Sequence, residues 1–159
     1  MSRVSVIMRS LIIVLSVVVA STATQYVIPT MKANWFQAHE FCNSLDMKLV
    51  STPTEADHNK LIEFIKKSDK YSETARFWLG ASDLGENGTY SWVSSGKLVT
   101  FKKWAHERPD YSKPHNRCLE LAYWPSLNWL WTWDNSNCRV TKFYFICEKS
   151  NDQHCISQF

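Results

Sequence analysis

The stretch WAHERPDYSKPHNRC, Trp104 to Cys118, concentrates carboxylate, amide, imidazole, guanidinium and ammonium side chains in one loop. Carboxylate and amide oxygens gathered in this way suit a hard cation such as calcium, which takes about 6 to 8 oxygen ligands. Arg108 stands in the middle of the run and offers five donors and no acceptor. Whether these oxygens could hold a metal therefore turns on where the Arg108 guanidinium lies.

Enzymatic chemistry finds no comparable signal. There is no G-x-S-x-G elbow, phosphate loop or H-E-x-x-H helix, and AHEFC stops after His39 and Glu40. A thiol nucleophile needs a free, activated cysteine, yet four of the five cysteines read as structural and Cys155 sits on a tail. No carboxylate pair stands out for glycoside hydrolysis. The chain reads as a non-enzyme.

The elements that must position the loop begin after a leader. Arg3 and Arg9, an apolar run from Leu11 to Ala20 and small residues up to Ala23 read as a secretory signal peptide over residues 1–23. The apolar run is shorter than the roughly 20 residues of a spanning helix, so no membrane anchor is expected. Cleavage after Ala23, or after Ala20, leaves about 136 residues, enough for one domain with its own core. Removing Arg3 and Arg9 from 18 basic residues leaves 16 against 15 acidic ones, so the basic pI is largely a leader effect. The short FKKW and FIKKS pairs read as solvated faces, and a nucleic-acid partner, which needs a basic patch, is not expected.

In a secreted chain Cys42, Cys118, Cys138, Cys147 and Cys155 should be oxidised where geometry allows, and spacing alone does not choose among the pairings. The triplet Asn87-Gly88-Thr89 is a glycosylation sequon, placing Asn87 as a modification site in the secretory pathway. Residues 150–159 lack periodicity and read as a C-terminal tail carrying Cys155. The odd cysteine is either a free thiol or an intermolecular link, and the expectation taken is at least a partial disulfide-linked homodimer through Cys155.

NWFQAHEFCNSLD predicts a helix capped by Asn34 with Gln37 closing a capping box, burying Trp35, Ala38, Cys42 and Leu45. STPTEADHNKLIEFIKKS predicts a second helix, with Thr52 as cap, Pro53 at the first position, Glu55 completing the box, and His58 or Leu61, Ile62 and Ile65 buried. After residue 70 the pattern turns to short strand-like runs: RFWLG, TYSWV, KLVTF, RCLELAY, WLWTW and FYFICE. Two helices followed by short strands argue an α+β domain. Trp124, Trp129, Trp131 and Trp133 read mostly as core, with Trp133 behind the loop.

With FWLG, a tryptophan before a Pro-Asp loop, and WDNSNC before FICE, the chain resembles the C-type lectin family over residues 25–149, in particular its short secreted insect members of galactose type. The resemblance implies two helices flanking small antiparallel sheets, a long irregular loop region, and disulfides Cys42–Cys147 and Cys118–Cys138. It makes Trp78 and Leu79 packing residues and lets the backbone turn at Gly80. It implies a cis bond before Pro109.

Carried over position by position, the family's calcium and carbohydrate ligands fall on Arg108, Asp110, Asn116, Asp134 and Asn135. Asp110, Asn116, Asp134 and Asn135 keep an oxygen for the metal and Arg108 does not. The family's asparagine-then-aspartate order is reversed at Asp134 and Asn135, and Asn116 keeps an oxygen but loses a charge. Arg108 either swings to solvent or lies between Asp110 and Asp134 as an internal cation, with Glu107 the nearest substitute carboxylate. The donor-first, acceptor-third order of Arg108 and Asp110 is the galactose-type order, and Tyr111 is a candidate platform for the sugar's apolar face. A second family metal position falls at Asp83, where Arg117 stands in place of a helpful carboxylate. The implied function is a secreted galactose-leaning lectin with calcium as cofactor, recognising microbial or host glycans; the alternative is a calcium-independent module that binds a protein.

Overall fold

The computed structural model describes residues 24–149. The leader, the tail and Cys155 lie outside them. The order is β1 (Gln25–Val27), α1 (Trp35–Ser44), β2 (Lys48–Leu49), α2 (Glu55–Lys66), β3 (Ala75–Ser82), β4 (Ser91–Trp92), β5 (Asn116–Trp124), β6 (Trp129–Asn137), β7 (Tyr144–Phe145) and β8 (Cys147–Lys149). This is the expected α+β class. No helix among the described residues is long and apolar enough to cross a membrane.

Helix α1 starts as its sequence predicts: Asn34 and Gln37 exchange side-chain-to-backbone bonds of 2.9 and 3.2 Å. Trp35, Ala38 and Cys42 are buried, whereas Leu45 is the C-cap and 46% exposed, because the buried stripe ends with the helix itself. Helix α2 starts two residues later than expected. Its cap is Thr54, extended at φ −127°, whose hydroxyl accepts the Asp57 N–H at 3.2 Å; Thr52 is fully buried upstream and Pro53 precedes the cap. The expected stripe of His58, Leu61, Ile62 and Ile65 is buried. His58 Nε2 meets the Trp131 carbonyl at 3.0 Å, tying α2 to β6.

A small antiparallel sheet ordered β1–β8–β2 joins the two ends of the domain. The larger sheet runs β4–β3–β5–β6, with β7 added parallel to β3. Strands β1 and β2 span three and two residues, too short for any alternation to announce them. KLVTF is not a strand; it contributes only an isolated bridge from Leu98 to Ser91. Both faces of β3 are covered, as alternating side chains require two cores. Phe77 and Leu79 join Leu119, Leu121, Trp133 and the α2 stripe, while Trp78 joins Trp35, Cys42, Cys118 and Phe145. The indoles also lock α1 to the sheet: Trp35 Nε1 donates to the Leu79 carbonyl and Trp78 Nε1 to the Ala33 carbonyl, each at 2.9 Å. Disulfides Cys42–Cys147 and Cys118–Cys138 are both present, in the pairing the resemblance implied.

Gly80 is needed for close approach within β3 and not for a turn. A Cβ there would lie 2.5 Å from the Leu49 carbonyl oxygen, and the Gly80 N–H already donates to the Val50 carbonyl at 2.8 Å. Gly80→Ala should therefore push β2 off β3 and destabilise the domain by about 1 to 3 kcal/mol. Urea unfolding checks this, and an unchanged midpoint would refute the tight contact.

One irregularity aims the site. In β6, Ala122 faces Thr132 and Tyr123 faces Leu130, so Trp131 is the extra residue of a bulge, with φ of +58°. Trp131 and Trp133 both enter the core beside α2. Without the extra residue Trp129 would share their face; the bulge reverses the alternation and pairs Trp129 with Trp124 on the opposite face.

Candidate functional site

That opposite face carries Cys118 and Glu120 on β5 and Asp134 on β6. The register sets Glu120 directly against Asp134, and like charges so placed repel. Arg76, on the neighbouring strand β3, answers this. Its Nε donates to Glu120 Oε2 at 2.9 Å, a second guanidinium nitrogen donates to Glu120 Oε1, and the same group stands 3.7 Å from Asp134 Oδ2. Ser136 Oγ donates to Glu120 Oε1 at 3.2 Å. Glu120 is fully buried, and burial outweighs the Arg76 charge, pushing its carboxyl up to about 7. Burial also raises the Asp134 carboxyl, against the pull of the Asn135 N–H and of both guanidinium groups.

The long loop closes over this cluster. The Arg108–Pro109 bond is cis, as the resemblance implied. Arg108 does not swing to solvent: its Nε lies 2.9 Å from Asp134 Oδ1, a terminal nitrogen lies 3.9 Å from Asp110 Oδ2, and its guanidinium sits over the Trp129 ring at 5.3 Å. The Nε–H does not point along the line to Asp134, so the contact is an ion pair and not a directed hydrogen bond. Glu107 does not turn in as a substitute; its side chain is 83% exposed beside His106.

Asn135 clamps the loop to the sheet. Its side-chain oxygen accepts the Asp110 N–H at 2.7 Å, and its amide nitrogen donates to the carbonyls of Asp110 at 3.1 Å and Asn116 at 2.8 Å. Asp110 turns one oxygen to the Ser112 N–H and hydroxyl at 2.9 and 2.5 Å, and these bonds, with Lys113 and Arg108 nearby, hold its carboxyl below the usual range. The resulting cavity, about 320 Å³, brings Arg108, Asp110, Asn116, Asp134 and Asn135 together with Arg76, Trp124 and Trp129. Five of the six expected carbohydrate residues thus converge. Tyr111 lines a separate recess with Tyr90, Lys102 and Trp104, so the aromatic faces at the cavity are Trp124 and Trp129.

As arranged, these groups do not fit a calcium ion. The Arg108 charge lies between the two carboxylates a metal would use, and Asn135 has already committed its oxygen to a backbone N–H. A guanidinium about 4 Å from a divalent ion costs on the order of 8 kcal/mol at an effective dielectric near 20. Among the described residues no three His, Cys, Asp or Glu side chains group as a metal site. The Asp83 position repeats the pattern: Arg117 Nε donates to Asp83 Oδ1 at 2.7 Å, and Asp83 Oδ2 accepts the Gly88 N–H at 2.8 Å.

A lectin-type scaffold, with two helices, a disulfide-closed long loop and a polar cavity at its rim, is the class that this fold and site define. The family model of the lectin C-type domain matches residues 31–149, and the chain belongs to the C-type lectin family. C-type lectin mosGCTL-7 of Aedes aegypti is 46% identical over 149 residues, covering 94% of this chain and 95% of that protein. Salivary C-type lectin 1 of Aedes albopictus is 31% identical, covering 79% of this chain and 82% of that one. Among solved structures, human lithostathine superposes with a TM-score of 0.70 at 27% identity, covering 83% of this chain and 87% of that one. The carbohydrate-recognition domain of the mouse scavenger receptor C-type lectin gives 0.66 at 22% identity, covering 80% and 88%, a likeness of fold. The two Aedes relatives are C-type lectins by name, and membership of that family agrees with a non-enzymatic chain.

Proposed function

We propose that the chain is a secreted lectin that binds galactose-type glycans at the Arg108 cavity without needing calcium, in recognition of microbial or host glycans. The observation that carries this reading is the 2.9 Å contact of Arg108 Nε with Asp134 Oδ1. It sets a permanent cation beside a carboxylate that the family resemblance gives to the metal. Arg108 then supplies donors to sugar hydroxyls and Asp110 an acceptor, in the galactose-type order. Trp129 and Trp124 offer faces for the ring's C–H side. Asn135, already clamped, keeps Asp110 and Asn116 in place for this contact.

Secretion in this reading rests on the leader over residues 1–23, and the exposure of Asn87 agrees with its use as a glycosylation site. Cys155 would link two copies through a disulfide. A second reading, a calcium-independent module that binds a protein through the same surface, draws support from the self-compensated network of Arg76, Glu120, Asp134 and Arg108, which leaves little charge for an external ligand.

The test is calcium calorimetry and retention on galactose resin with and without chelator, for wild type and Arg108→Gln. Wild type should show no calcium binding and equal retention in both buffers. Arg108→Gln removes the cation, supplies a carbonyl oxygen, and should give a calcium-binding isotherm where wild type gives none, with retention becoming chelator-sensitive. Tight calcium binding by wild type, or no change in the variant, would refute the account of Arg108. Wild type that passes through the resin in both buffers favours the protein-binding reading.

A further inference from the structure

Beside the Arg108 cavity lies a second recess of about 240 Å³, between the turn that follows β3 and the start of the long loop. Gly88, Thr89, Tyr90, Lys102, Trp104 and Tyr111 are among its walls, and Lys102 is the one charged side chain lining it. Tyr90 is only 6% exposed, and its hydroxyl has no hydrogen-bond partner among the described residues. Folded interiors rarely leave such a group unmet. Burial, with the nearby Asp83 charge adding to it, raises the phenol's pKa, so the group remains a neutral O–H donor.

The aromatic floor and the Gly88 turn are packed in the free protein. Trp104 packs edge-on against Tyr90 at 5.1 Å and against the buried Trp133 at 5.9 Å. Gly88, at φ of +82°, is anchored by its N–H to Asp83, and a Cβ there would touch the Tyr111 hydroxyl at 3.6 Å. Tyr111 itself is 52% exposed at the rim. Asp83 does not oppose an incoming anion, since Arg117 already neutralises it.

We propose that this recess binds an acidic monosaccharide, a uronic acid in class, independently of the Arg108 cavity. The aromatic faces of Trp104 and Tyr111 take the C–H side of the ring, Thr89 meets its hydroxyls, Lys102 pairs with its carboxylate, and the enclosed Tyr90 hydroxyl is met once the half-exposed Tyr111 ring shifts at the rim. This goes beyond the galactose reading and stands on different residues.

The experiment is an NMR shift titration of the full secreted chain with glucuronic acid and, separately, with glucose. Glucuronic acid should bind at least about fivefold more tightly, and Lys102→Gln should erase that preference. Tyr90→Phe should weaken glucuronic acid about five- to tenfold while leaving the thermal midpoint of the free protein unchanged or raised, because it removes an unpaired hydroxyl. Arg108→Gln should leave glucuronic acid binding as it was. Equal binding of the two sugars, or full affinity in Lys102→Gln or Tyr90→Phe, overturns the proposal. Loss of binding in Arg108→Gln overturns it by moving the acid to the other cavity, and binding seen only in Asn87→Gln overturns it by showing that the chain's own glycan fills the recess.

Discussion

Glu120→Ala is expected to destabilise the domain by about 3 to 5 kcal/mol, since it strands the buried end of the Arg76 guanidinium. Asp134 Oδ2, 3.7 Å away, recovers part of that charge and places the effect toward the lower end. Replacing both partners, Arg76→Met with Glu120→Leu, should recover more than half of the loss, because apolar groups need no compensation there. Urea unfolding of the single and double variants decides it; equal losses would mean that the pair is not what Glu120 contributes. The milder Glu120→Gln isolates the charge. Burial pushes the Glu120 carboxyl to about 7 in the folded chain, above the ordinary value of 4.5. The protonated form is therefore favoured by folding: its contribution is complete below about 4.5 and lost as pH rises through about 7. Relative to Glu120→Gln, wild type should gain stability between pH 8 and pH 5. A difference that stays constant over that range would contradict the shift.

This cluster also marks where sequence reasoning stopped. Helices α1 and α2 are legible because a 3.6-residue stripe and a capping oxygen are local signals, while two threonines two residues apart, Thr52 and Thr54, offer the same capping oxygen. Strands β1 and β2 were not legible: they exist because β8 lies between them, a long-range fact. In RCLELAY the alternation is visible, yet it does not mark Glu120, because nothing in the alternation says that both faces of β5 are covered. A glutamate on a doubly buried strand demands a cation, and Arg76 in RFWLG supplies it.

The loop was legible to the extent that the resemblance supplied positions. Arg108, Asp110, Asn116, Asp134 and Asn135 do come together, and Arg108 takes the internal of its two expected places. Tyr111 lies away from the Arg108 cavity and Trp129 lies at it, for a physical reason. Tyr111 follows Asp110 in sequence but faces the Tyr90 recess, while the bulge at Trp131 rotates Trp129 out of the tryptophan core and under Arg108. A single extra residue in a strand reverses every side chain beyond it. WLWTW read as a uniform alternation hides that reversal.

The disulfides should differ in what they contribute, and removing Cys42–Cys147 should have the larger effect. The bridge spans 105 residues and ties α1 to the middle strand of the small sheet, whereas Cys118–Cys138 spans 20. Chain entropy in the unfolded state puts these at about 4.8 and about 3.3 kcal/mol. Cys42→Ala with Cys147→Ala should accordingly bring the domain close to unfolding, since total stabilities of such domains are about 5 to 15 kcal/mol. Cys118→Ala with Cys138→Ala should lower the urea midpoint less. Cys118 already lies opposite Ser136 in the β5–β6 ladder, so the register that sets Glu120 against Asp134 continues without the bridge. The Arg76 and Arg108 ion pairs depend on that register and not on the sulfur. Urea unfolding of the two double variants tests the ranking, and amide exchange across β5 and β6 tests the register. If the Cys118–Cys138 variant proves the less stable, or if it loses protection at Glu120 and Asp134 while still folded, the loop is held by its disulfide and not by the sheet beneath it.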